Sequence, residues 1–120
     1  MEAGAVAPMD DARIPSELWI KAHLRRLSAQ AVPAVIARRG DPHGGMVILK
    51  VNRLDLGCRV LTQTRDLDGV LSWIPALKGE LVPEREADDY IARQTARDPD
   101  LWVVEVETRD GNHGFEGREL

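Results

Sequence analysis

Met46-Val47-Ile48-Leu49-Lys50-Val51-Asn52-Arg53-Leu54 alternates with a period of two, the repeat of a β-strand whose successive side chains point to opposite faces of a sheet. Val47, Leu49 and Val51 share one face, and Ile48, Lys50 and Asn52 share the other. The first set marks a core face; the second carries a lysine and an asparagine that a sheet must pair or expose. Upstream, Ala34-Val35-Ile36-Ala37-Arg38 forms a shorter extended run, and Gly40-Asp41-Pro42-His43-Gly44-Gly45 between the two runs is dense in turn formers. That spacing predicts a hairpin. Downstream, Asp55-Leu56-Gly57 turns the chain into a third strand over 58–64, where Val60 and Thr62 oppose Arg59, Leu61 and Gln63. A three-stranded antiparallel meander is the expectation.

Helices flank this unit. Pro15-Ser16-Glu17 precedes Ile20, Leu24, Leu27 and Ala31 at helical spacing, with Ser16 suited to cap free amides and Glu17 suited to the positive first turn. The predicted helix spans 16–30, and Pro33 then disfavours helical geometry at Val32. Residues 65–82 read least clearly; a short fourth strand near 71–77 would lie at an edge or end early, because Pro75 has no amide to donate. A second helix over 83–97 starts at Pro83 among Glu84, Glu86, Asp88 and Asp89, and ends near Arg93 and Arg97, matching the helix dipole at both ends. Its inner stripe is Ala87, Tyr90, Ile91 and Gln94, and Pro99 stops it. A last strand over 101–108 places Trp102, Val104 and Val106 opposite Leu101, Val103, Glu105 and Glu107.

The order α-β-β-β-(β)-α-β predicts an α+β domain with an antiparallel or mixed sheet of four to five strands and two main helices on one face. Residues 13–110 would form this single domain, with flexible tails over 1–12 and 111–120. At 120 residues, with Leu, Ile, Val and Phe contributing 31, the chain can bury one core without staples. A lone cysteine, Cys58, excludes an intramolecular disulfide framework, and no apolar run reaches the ~18 residues of a membrane span. With no basic segment ahead of an apolar one at the N-terminus, a cytoplasmic location is expected.

Chemistry-bearing motifs are scarce. The chain has no G-x-x-x-x-G-K loop, G-x-S-x-G elbow, H-E-x-x-H helix or EF-hand loop, so no cofactor is expected. One cysteine and three scattered histidines do not make a zinc spacing, and no metal site is expected. One polar constellation stands out: Lys50 and Asn52 on one strand, and Glu105 with Glu107 on another. On neighbouring strands these groups would build a lysine–carboxylate site for an anionic substrate, or cross-strand ion pairs on a solvated face. Asp98-Pro99-Asp100 fits a structural turn, and Cys58 fits an inert small side chain better than a reactive thiol.

Charge is polarised. Residues 1–60 hold nine basic and six acidic groups, whereas 61–120 hold seven and fourteen. Arg25 and Arg26 on the first helix and Arg38 and Arg39 after the first strand would form a basic edge, with Trp102 or Trp73 as an interface anchor. Such an edge suits a protein partner or a second copy of the chain. Nucleic acid suits it less, because the chain is acidic overall and poor in aromatic residues for base stacking.

Taken together, Ser16-Glu17-Leu18-Trp19, Lys21-Ala22, Leu24-Arg25-Arg26, Lys50-Val51-Asn52-Arg53-Leu54, Arg93-Gln94, Asp98-Pro99-Asp100 and Trp102-Val103-Val104-Glu105-Val106-Glu107 occur in an order that resembles the alphaproteobacterial family called domain of unknown function 1491. The resemblance covers about residues 13–110. It implies a small bacterial cytosolic protein and supplies no activity and no catalytic residue. The residues themselves favour a non-enzymatic protein-binding or adaptor domain. The alternatives are a small enzyme using Lys50, Asn52 and Glu105, and a nucleic-acid-binding module.

Overall fold

The computed structural model describes residues 14–120, so the tail expected over 1–12 lies outside the described residues. Helix α1 (Ser16–Ala29) is followed by β1 (Ala34–Arg38), β2 (Val47–Asn52), β3 (Cys58–Arg65) and β4 (Leu71–Pro75), then by α2 (Glu84–Arg97), β5 (Trp102–Glu107) and β6 (Arg118–Glu119). The strands form one mixed sheet in the order β1-β5-β2-β3-β4-β6. The α+β class holds, with six strands rather than four to five; the additional strand is β6, which pairs in parallel with β4 at Ser72 and Trp73.

The expected hairpin between β1 and β2 does not form. Strand β5 lies between them, antiparallel to β1 and parallel to β2. Burial explains the choice: every residue of β2 is buried, so it needs a neighbour on each side, whereas β1 alternates between half-buried and exposed residues and suits an edge. The 40–45 loop is therefore not a tight turn but a clamp on the start of β5. The Asp41 amide donates to the Asp100 carbonyl at 3.0 Å, and the Trp102 indole Nε1 donates to the Asp41 carbonyl at 2.7 Å. Gly40 and Gly45 permit this approach by lacking a side chain, since a Cβ on either would overlap the Asp100 carbonyl oxygen.

Both faces of the central strands are apolar, and each has its own cover. On one face Trp19, Ile20 and Leu27 of α1 pack over Val47, Leu49, Val51, Trp102, Val104 and Val106. On the other, Ala87 and Ile91 of α2 pack over Ile48, Val60 and Val103. The helices thus lie on opposite faces, not on one as the element order suggested. A strand such as β2, with apolar residues in both alternating sets, requires a layer on each side.

Local chemistry also departs from expectation at α1. Pro15 occupies the N-cap, and the Ser16 hydroxyl donates to the Gly45 carbonyl at 2.6 Å instead of capping the helix. The first free amides, of Ser16 and Glu17, donate to the carbonyls of His43 and Pro42 at 3.2 and 3.0 Å, so the clamp loop caps the helix with backbone. At the other end, Val32 donates to Leu27 and Ala31 to Ser28, a Schellman ending with Ala31 at φ 62° where glycine is usual.

Residues 111–120 were expected to fray. Instead Phe115 is buried among Trp19, His23 and Trp73, the Trp73 Nε1 donates to the Glu116 carbonyl at 2.9 Å, and the Leu120 amide donates to the Trp73 carbonyl at 2.9 Å. The reason is a single aromatic ring. Phe115 fills the α1 face beside Trp73, and the glycine-rich, charged composition around it concealed that anchor.

Candidate functional site: a lysine enclosed by three carboxylates

Lys50 and Glu105 are partners in the parallel β2–β5 register and share the sheet face under α2. The Lys50 Nζ donates to Glu84 Oε2 at 2.7 Å, pairs with Asp88 Oδ1 at 2.7 Å, and lies 3.6 Å from Glu105 Oε1. Glu84 and Asp88 are one turn apart on α2, so both carboxylates reach the same point on the sheet. Asn52, two residues along β2 on the same face, donates from Nδ2 to Glu105 Oε2 at 3.0 Å. The sheet-face constellation read from the sequence is therefore assembled, with Lys50, Asn52 and Glu105 together; Glu107 pairs in register with Asn52 but lies exposed.

The electrostatics oppose the use imagined for it. Lys50 is almost fully buried, and burial alone would depress its pKa. Hydrogen bonds that it donates to Asp88 and Glu84, with the charge of Glu105, outweigh that and hold it well above the usual lysine range. It stays protonated, so it is neither nucleophile nor base. One ammonium against three carboxylates leaves a surplus of negative charge, which repels an anionic substrate. The arrangement ties α2 to the sheet. Glu84 and Asp88 escaped the sequence reading as site residues because their place at a helix N-terminus already accounted for them; their four-residue spacing was the available signal.

Cys58 pairs in register with Asn52, is fully buried, and burial pushes its thiol pKa up. That is the signature of an inert side chain. Asp98 accepts the Asp100 amide at 3.0 Å in a structural turn. Among the described residues no group of His, Cys, Asp and Glu is arranged to hold a metal ion, and no helix is long and apolar enough to cross a membrane.

The basic edge is divided. Arg38 donates to the carbonyls of Leu101 and Pro99 at 2.8 and 3.1 Å, and Arg39 pairs with Glu17 at 2.7 Å in the first turn of α1. Arg26 donates to the Gly114 carbonyl near the helix's other end, nine residues and roughly 13 Å along the axis from Glu17. Arg25 is exposed. Trp102 and Trp73, expected as surface anchors, are both fully buried core residues, with Arg39 stacked at 5.3 Å from the Trp102 ring centre.

Beside the Lys50 cluster, at the end of β2, the chain makes a short helical turn over Leu54–Leu56. Leu54 sits at φ 62°, its amide held by the Asn52 Oδ1 at 2.8 Å. Leu54 and Leu56 are 46% and 48% exposed, and Leu81, next to the Cys58–Val82 bridge at the same end of the sheet, is 39% exposed. Nothing in the sequence pattern marked these leucines as surface residues.

Known proteins give the arrangement a family and no activity. A family model described as "Protein of unknown function (DUF1491)" matches residues 14–116. A crystal structure of a DUF1491 family protein from Caulobacter crescentus is similar with a TM-score of 0.79 and 32% identity, over 88% of this chain and 98% of that one. An NMR structure of a DUF1491 family protein from the same organism gives 0.77 and 31%, over 89% and 96%. A solution structure of a protein from A. tumefaciens, at 22% identity and TM-score 0.71 over 86% and 92% of the two chains, shares the fold. No curated protein matches. With the family model spanning β1 to β5, both helices and the Lys50 cluster, the chain belongs to the DUF1491 family of proteins of unknown function.

Proposed function

We propose that this chain is a cytoplasmic, non-catalytic module that binds a protein partner through the turn carrying Leu54 and Leu56. The observation that carries the reading is Leu54 itself: a branched side chain held at positive φ and left 46% exposed. A non-glycine residue in this region costs about 1–2 kcal/mol. Strain of this kind, retained beside further exposed apolar side chains, fits a recognition surface. The Lys50 cluster supports the same reading, since its ammonium is held in ion pairs between α2 and the sheet.

Capture from bacterial lysate by the tagged chain, with and without nuclease, tests it. A nuclease-resistant protein should be retained by the wild type, lost with Leu54→Ser/Leu56→Ser, and kept with Arg25→Glu, all three melting alike. A captured second copy of the chain with the same dependence would make the partner the protein itself. No captured protein, capture that needs nucleic acid, or loss confined to the arginine variant would overturn the proposal.

A further inference from the structure

A cavity of about 150 Å³ opens on the α1 face of the sheet. Its origin is a mismatch in length. Helix α1 begins at Ser16, whereas β3 runs on to Arg65 and β4 starts at Leu71, so this corner of the sheet extends past the helix that covers it. Trp19, Val47 and Leu71 supply apolar walls, Gln63 and Arg65, two residues apart on β3, supply a polar side, and Ser16 and His43 line the rim.

Those two side chains have donors to spare. The Gln63 Oε1 accepts the Val47 amide at 3.1 Å, which fixes the carboxamide, and its Nε2 donates to nothing among the described residues. Arg65 uses one guanidinium nitrogen on the Gly69 carbonyl at 2.9 Å, leaving further N–H groups of its five. Among the described residues no carboxylate lines the cavity, and Asp66 beside it is engaged with Arg118 at 2.7 Å and with the amides of Asp68 and Val70. A pocket with one permanent positive charge, an adjacent amide donor and apolar walls selects a monoanion with an apolar body. Its volume matches a cavity known to hold a single benzene ring.

We propose that this cavity binds a small carboxylate with a one-ring apolar body, the ring against Trp19, Val47 and Leu71 and the carboxylate on Arg65 and the Gln63 Nε2. The proposal stands apart from the protein-binding turn, which lies at the other end of β2.

Titration of the isotope-labelled full chain with benzoate, benzyl alcohol and benzylamine, followed by NMR, tests it. Benzoate should give saturable shifts of the Trp19 indole, Val47 and Leu71 methyls and Gln63 side-chain amide, with a Kd of about 1 mM for a ligand of this size. The alcohol should bind about tenfold more weakly, the amine more weakly still, and Arg65→Met should weaken benzoate about tenfold while leaving remote resonances unmoved. Equal binding of the three probes, no effect of Arg65→Met, or the absence of saturable shifts at these residues would overturn it.

Discussion

Lys50 and Glu105 stand side by side in register on the two parallel central strands, and the Lys50 ammonium also reaches Glu84 and Asp88 of α2 at 2.7 Å each. Replacing Lys50 by Met leaves three carboxylates facing one another. Because Glu84 and Asp88 are more than half exposed and can hydrate, the expected loss is about 2 kcal/mol, below the ~3–5 kcal/mol of a fully buried broken pair. Urea denaturation of wild type and Lys50→Met checks it. Since the folded-state pKa of Lys50 lies above its ordinary 10.5, its stabilisation is fully present below pH 10.5 and is lost as pH rises through the folded value. The difference between the two proteins should therefore be constant from neutral pH to about 10 and narrow above it.

Ala31 at φ 62° ends α1 in a position that glycine occupies without a Cβ penalty. Ala31→Gly should stabilise the fold by about 0.5–1 kcal/mol, the relief of left-handed strain exceeding the added freedom of the unfolded chain. A raised melting temperature checks it, and an unchanged or lowered one contradicts the Schellman geometry.

Phe115 closes the α1 face between Trp19 and Trp73. Phe115→Ala should cost about 3 kcal/mol as a cavity-forming core substitution, and removal of residues 113–120 should cost at least as much. Equal stability of the shortened chain, measured by denaturant midpoint, would return this segment to the status of a tail.

His113 accepts the Phe115 amide through Nδ1 at 3.0 Å, and burial holds its pKa below the ordinary 6.5, with Glu119 opposing and Arg59 reinforcing that shift. The unfolded chain takes up the proton first, so stability falls as pH drops below 6.5. His113→Asn, which keeps an acceptor and removes the titration, should flatten this decline between pH 7.5 and 5. Equal slopes in thermal unfolding would show that other groups carry it.

Periodicity made the helices and most strands legible. Helix α1 ends within a residue of the predicted 16–30, and α2 begins one residue after Pro83, because proline, the acidic first turn and the apolar stripe act locally. Strand order was not legible, since the glycine-rich 40–45 segment has the composition of a hairpin turn and functions as a clamp on Asp100 and Trp102. The candidate site was half legible. Lys50, Asn52 and Glu105 share a face by strand alternation, whereas Glu84 and Asp88 arrive from a helix whose packing face no local pattern specifies.

By itself the sequence determined where the two helices and β1 to β5 lie, which residues those strands present on each face, and the absence of the familiar catalytic motifs, because these depend on neighbours a few residues apart. Only the tertiary structure decided that β5 separates β1 from β2, that α2 lies opposite α1, and that Phe115 anchors the chain's end. Those choices rest on contacts between distant residues, where two apolar sheet faces each need a cover and a buried lysine needs its carboxylates.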